Sequence, residues 1–126
     1  MILLNFKNIQ FFLSVTTPTS ISPLNLFNSV FCERELSSGL SISCSTGVVN
    51  VIDANYGRKD SQTCCNAIGS TICTNNINCY LNETENFKSK CDYQQICTFL
   101  TISIPDPCRG TYKYLEIFWE CLNARK

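Results

Sequence analysis

Ten cysteines lie between Cys32 and Cys121, with none on either side, and they constrain this 126-residue chain more than any other feature. An even number of thiols in one short stretch reads as a set of disulfides. The rival reading is zinc, but zinc sites favour C-x-x-C pairs and histidine. The close spacings here are Cys64-Cys65, Cys73 to Cys79 and Cys91 to Cys97, and the chain has no histidine. Neither a metal nor any other cofactor is therefore expected, and Ser-His and Cys-His catalysis have no base. Disulfides persist outside reducing compartments, so an extracellular location is expected, either secreted or within the ectodomain of a membrane protein. A chain of this size buries a modest core, and each closed loop adds about 2–4 kcal/mol by restricting the unfolded state. Counting does not say which cysteines pair.

Lys plus Arg is 10 and Asp plus Glu is 10, so the formal charge is zero. Scattered, balanced charge gives no footprint for nucleic acid. No apolar run approaches the roughly 18 residues that cross a bilayer, so no membrane insertion is expected within this chain. Residues 1–31 stand apart: they lack cysteine and glycine and carry a single charge, Lys7. Met1 to Val15 is apolar but broken by Asn5, Lys7, Asn8 and Gln10, a degenerate version of a signal peptide. An incomplete chain or an ordered extension are the other readings. Thr16 to Asn28, with its Thr-Pro and Ser-Pro pairs, reads as a linker. The expected organisation is a leader or linker over 1–31, one domain over 32–122 and a tail over 123–126.

Within the cysteine-bearing stretch the hydrophobic period is mostly two. Leu40, Ile42 and Cys44 alternate with serines, and Val48 to Ala54 is rich in β-branched residues, each predicting a strand. Asn55-Tyr56-Gly57-Arg58 is expected to end the second strand in a turn. Ile96 to Ile104 predicts a third extended stretch. Tyr112 to Cys121 predicts the clearest strand, with Leu115, Ile117, Trp119 and Cys121 on one face and apolar residues on the other, so that it is covered on both sides. One helix is expected from about Glu83 to Cys91, opened by a capping box from Asn82 to Glu85 and burying Phe87 and Cys91. Asn82-Glu83-Thr84 is also an N-glycosylation sequon, which makes Asn82 a candidate glycan site.

Two segments carry more specific information: Ala54-Asn55-Tyr56-Gly57-Arg58, and Asp106-Pro107-Cys108-Arg109-Gly110-Thr111-Tyr112-Lys113-Tyr114-Leu115-Glu116. Together with Cys32-Glu33 and Trp119-Glu120-Cys121, they resemble the rhamnose-binding lectin family, the galactose/rhamnose-binding type of sea urchin egg lectin and of the latrophilin N-terminal module. The resemblance covers about Cys32 to Leu122. It implies a mainly β fold: a compact, disulfide-rich antiparallel β-sandwich with one short helix and long loops. It also implies the bridges Cys32–Cys64, Cys44–Cys121, Cys79–Cys108 and Cys91–Cys97. Cys65 and Cys73 are extra to the family pattern and are expected to close a fifth, small loop.

The resemblance further implies metal-independent binding of L-rhamnose or galactose-like sugars, with cell-surface or secreted glycans as partners. Sugar hydroxyls both donate and accept, so a site needs carboxylates beside donors. Glu33 and Asp106 match the family's acceptors, Lys113 a donor, and Gly110, Thr111 and Tyr112 the rest of the loop. Gly110 would admit a close backbone approach. Asn55 and Tyr56 complete the candidate set, Tyr56 against the apolar edge of a deoxy sugar. Arg58 is expected to be structural, paired with Asp53 or Asp60. Taken singly, each residue has a plainer reading as a turn or a solvated face. The joint frame is what carries the site.

The stretch Thr98 to Pro105 is short and apolar beside family members. That favours an alternative: a protein-interaction module of an adhesion receptor in which the sugar site is vestigial and the partner is a protein ligand. A binding appendage of a glycoside hydrolase is a third reading. No enzymatic activity is expected, since sugar recognition accounts for Glu33 and Asp106 without a reaction.

Overall fold

The computed structural model describes residues 25–70, 73–99 and 104–123. It contains six strands and one α-helix: β1 (Phe27–Cys32), β2 (Leu40–Ser43), β3 (Val48–Arg58), β4 (Cys79–Asn82), α1 (Thr84–Cys91), β5 (Ile96–Phe99) and β6 (Tyr114–Leu122). Short 3-10 turns occupy Glu33–Ser38 and Cys65–Ile68. The strands form two antiparallel sheets, one of order β1-β6-β3-β4 and one of order β2-β5. The fold is mainly β, as expected.

Alternation along the strands builds the core. Leu115, Ile117 and Trp119 of β6 point inward beside Val49 and Val51 of β3, and Ile42 and Phe99 come from the smaller sheet. Helix α1 contributes Phe87 and Cys91, both fully buried. The Phe87 and Phe99 rings meet edge to face at 5.1 Å, a favoured aromatic geometry. On the other face of β6, Tyr114 is buried and Glu116, Phe118 and Glu120 are half-buried, so this strand is covered on both sides.

Five disulfides fasten the sheets: Cys32–Cys64, Cys44–Cys121, Cys65–Cys73, Cys79–Cys108 and Cys91–Cys97. No described cysteine is free. These are the same pairs that the family resemblance implies, with the extra pair closing its own loop.

Several local expectations need correction. Residues 27–31, placed in the leader or linker, form an edge strand that pairs with β6 from Phe27–Trp119 to Cys32–Tyr114. Asn28 and Ser29 break its apolar pattern, but its backbone groups find partners in β6, and Phe27 stacks on Trp119 at 4.5 Å. Asn55-Tyr56-Gly57-Arg58 is no turn; β3 runs on through it, with a bulge between Val51 and Asp53. Gly57 has φ +142°, and a Cβ there would sit 2.2 Å from the Cys79 carbonyl oxygen, so glycine lets β4 come close. Strand β5 ends at Phe99, and 100–103, part of the expected third stretch, lie outside the described residues. Strand β6 starts at Tyr114 rather than Tyr112, because Tyr112 belongs to the preceding loop. The helix begins at Thr84 after Glu83, and Asn82 ends β4. Asn82 Oδ1 accepts from the Thr84 N–H at 3.0 Å, a local turn in place of the capping box.

Candidate functional site

The β1–β6 pairing extends one step beyond the strands and brings Glu33 beside Lys113. The Glu33 N–H donates to the Lys113 carbonyl at 2.9 Å, and the Lys113 N–H donates back to Glu33 Oε1 at 2.7 Å. Asp106 arrives from the other side, in a tight turn where its Oδ1 accepts from the Cys108 N–H at 2.9 Å. The Cys79–Cys108 bridge ties this turn to β4.

Lys113 lies at the centre of the cluster and is buried. Its Nζ is 3.4 Å from Glu33 Oε1 and 3.3 Å from Asp106 Oδ1, and it donates to the Thr111 carbonyl at 2.6 Å. A buried ammonium is costly unless paired, and here two carboxylates and a carbonyl satisfy it. Its first effect is to hold the two acids side by side. Their side chains remain 37% and 46% exposed, so oxygen lone pairs are left for a ligand.

Tyr56 lies near the same acids. Its phenol is pushed up to about 12 by burial and by the negative charges of Glu33 and Asp106, so at neutral pH it keeps its proton and can donate it. Gly110 has φ +87° in the loop between Asp106 and Lys113, and beyond its chain neighbours no atom of the described residues lies within 4 Å of where its Cβ would be. Backbone conformation is thus what requires glycine there. Thr111 Oγ1 accepts from Asn76 Nδ2 at 3.0 Å, and Tyr112 Oη accepts from the Arg34 N–H at 3.3 Å. Glu33, Arg34, Gly110, Thr111 and Tyr112 line an open depression of about 460 Å³.

Glu33, Tyr56, Asp106, Gly110, Thr111, Tyr112 and Lys113 are therefore gathered at one end of the four-stranded sheet. Asn55 is not. As the strand neighbour of Tyr56 it faces the opposite side of the sheet, and its Nδ2 donates to Asp53 Oδ2 at 2.7 Å. Arg34 and Asn76 join the site without having been expected. The position of Arg34 next to Glu33 was a usable signal; Asn76, remote in sequence from Thr111, offered none. Among the described residues no group of three or more histidines, cysteines or acids could hold a metal ion. A second depression, of about 490 Å³, opens at the far end of the sheet, with Asn25, Phe27, Ser43 and Asn123 in its wall and none of the expected site residues.

Residues 42–121 match the model of the D-galactoside/L-rhamnose binding SUEL lectin domain. The chain is 41% identical over 98 residues to L-rhamnose-binding lectin CSL1 of Oncorhynchus keta, the match covering 76% of this chain and 32% of that protein. It is 34% identical over 106 residues to a rhamnose-binding lectin of Silurus asotus, covering 82% and 33% respectively. It is 40% identical over 89 residues to Latrophilin Cirl of Drosophila mojavensis, covering 68% of this chain and 5% of that protein. The chain thus spans about a third of the two lectins and a small part of the latrophilin.

Proposed function

Because the chain belongs to the family of the D-galactoside/L-rhamnose binding SUEL lectin domain, we propose that it binds L-rhamnose or galactose-like sugars on cell-surface or secreted glycans, without a metal ion and without catalysing a reaction. The carrying observation is that two partly exposed carboxylates, Glu33 and Asp106, flank one buried ammonium beside an open depression. Adjacent hydroxyls of a pyranose would donate to the acids, while the Tyr56 phenol would donate to the sugar. Each such bond exchanges a water contact and nets about 1 kcal/mol, so a single site is expected to be weak and to rely on several copies or a multivalent glycan. No acid-base step is needed to account for the two carboxylates.

Five disulfides support an extracellular location. No helix among the described residues is long and apolar enough to cross a membrane. On the same reading Asn82, exposed on the edge strand β4, carries an N-linked glycan. Thr84 of that sequon already bonds Asp53 and Ala54 in the fold, so attachment would precede folding. We further place the domain boundary ahead of β1 rather than at Cys32, since β1 is part of the large sheet.

A glycan array with the intact chain tests the reading. Binding to rhamnosyl or galactosyl glycans that is lost in Glu33→Ala and Lys113→Ala is the expected result. The resemblance to a latrophilin favours a second reading, a protein-interaction module. An array with no signal, together with a protein ligand still bound by both variants, would replace the first reading with the second.

A further inference from the structure

On the carbohydrate-binding reading, the residues at the rim of the depression bear on which sugars it takes. Arg34 lines it beside Glu33 and is exposed. Its Nη1 donates to the Ala67 carbonyl at 3.0 Å, which uses one of the five guanidinium N–H groups. No carboxylate among the described residues lies within ion-pairing distance of it. Lys113, by contrast, is buried and already balanced by Glu33 and Asp106. The depression therefore has a second, uncompensated cation on its rim.

The loop that holds this cation is distinctive. Ala67 lies in the 3-10 turn Cys65–Ile68, and Cys65 is fully buried and bridged to Cys73. This is the pair that stands outside the family's bridge pattern. The bridge restrains the turn that presents the Ala67 carbonyl, and the hydrogen bond to that carbonyl restrains the guanidinium, which lowers the entropy lost on binding. Its planar fork matches a carboxylate or a sulfate, two donors to two oxygens.

We propose that Arg34, held against the loop closed by Cys65–Cys73, makes this site select sugars that carry an anionic substituent, a carboxylate or a sulfate, over their neutral counterparts. Ring hydroxyls face Glu33 and Asp106, and the exocyclic anion meets the guanidinium across the depression.

The test is calorimetric titration of the intact, oxidised chain with galactose, galacturonate and galactose 6-sulfate, at low and high salt. The wild type is expected to bind the charged sugars about three- to tenfold more tightly than galactose, the ratio shrinking as salt rises. Arg34→Gln should bring the ratio to about one or below, since Glu33 then repels the anion. Arg34→Lys should keep part of it. A Cys65→Ala/Cys73→Ala double variant, with the other four bridges intact, should lower the ratio in the same direction. Preference for only one of the two anions, abolished by Arg34→Gln, supports the proposal and identifies the group. Equal affinity for all three sugars in the wild type, or a wild-type ratio in Arg34→Gln, overturns it while leaving the lectin reading standing. Binding of none of them, with none on the array, overturns both.

Discussion

Arg58 Nε and the carbonyl oxygen of Tyr112 lie 2.7 Å apart, which links the end of β3 to the loop that carries the candidate site. The same guanidinium donates to the carbonyls of Asp60 at 2.9 Å and Thr63 at 2.8 Å, and sits 5.2 Å from the centre of the Tyr114 ring. Arg58 is fully buried. Of the two carboxylates expected to pair with it, Asp60 does so at 3.8 Å. Asp53 instead accepts from Asn55 and Thr84.

Arg58→Ala is therefore expected to lower stability by about 3–5 kcal/mol, because three carbonyls and a buried space lose their partner. Arg58→Lys should recover only part of this, since an ammonium cannot reach carbonyls in three directions with a fixed fork. Guanidinium chloride denaturation of the oxidised protein reads both. A lysine variant as stable as the wild type would show that the fork geometry is irrelevant.

Gly57→Ala is expected to be more damaging than its size implies. Its Cβ would fall 2.2 Å from Cys79 O and 2.4 Å from Tyr80 Cα, both main-chain atoms that cannot swing aside. The loss should exceed about 2 kcal/mol and should fall on the β3–β4 pairing. Amide exchange would show it as selective deprotection of Cys79–Asn82, with β1 and β6 still protected.

Acid should weaken the fold through Asp60. Burial pushes its carboxyl up, but hydrogen bonds from the Thr63 hydroxyl, the Thr63 and Gln62 amides and Tyr114 outweigh that and bring it down to about 2 from 3.8. A lowered native pKa stabilises the fold above the unfolded value and loses that contribution as pH falls. The wild-type melting temperature should therefore drop between about pH 4 and pH 2, more steeply than that of Asp60→Asn. The side chain is 47% exposed, so the difference should be modest. Parallel slopes in the two proteins would rule out Asp60 as the source.

The bridges should differ in worth. Cys44–Cys121 closes a separation of 77 residues and Cys65–Cys73 one of 8. Restriction of the unfolded chain then gives about 4.5 kcal/mol for the first and about 2.5 kcal/mol for the second. Paired serine variants compared by chemical denaturation should keep that order. The reverse order would mean that the small loop does more in the native state than entropy describes.

Periodicity was enough to read Leu40–Ser43, the start of β3 and the inward faces of β6 and α1, because alternating or one-turn spacing records which side meets the core. The bridge pairs and most of the candidate site follow from the family resemblance, which carries three-dimensional information that spacing lacks. Strand β1 was illegible for a physical reason: its partner is far away in sequence, and Asn28 finds its hydrogen bond only on Glu116 of β6. The turn assigned to Asn55–Arg58 failed because Gly57 marks a close approach of β4, which local sequence cannot distinguish from a reversal. Asn55 and Tyr56 share one motif, but a strand sends neighbours to opposite sides, so Tyr56 lies near Glu33 and Asp106 while Asn55 bonds Asp53. Arg34 lines the depression and Asn76 bonds Thr111 in its wall because the loops converge around the bridges.

The exposed, irregular run from Asn75 to Asn78 lies between two bridged segments. A protease that cut there would yield two pieces still tied by Cys44–Cys121 and zipped together by β1 and β3 against β6. Such nicked molecules would run as one band without reductant and two with it. They would keep Glu33 from the first piece seated against Lys113 of the second.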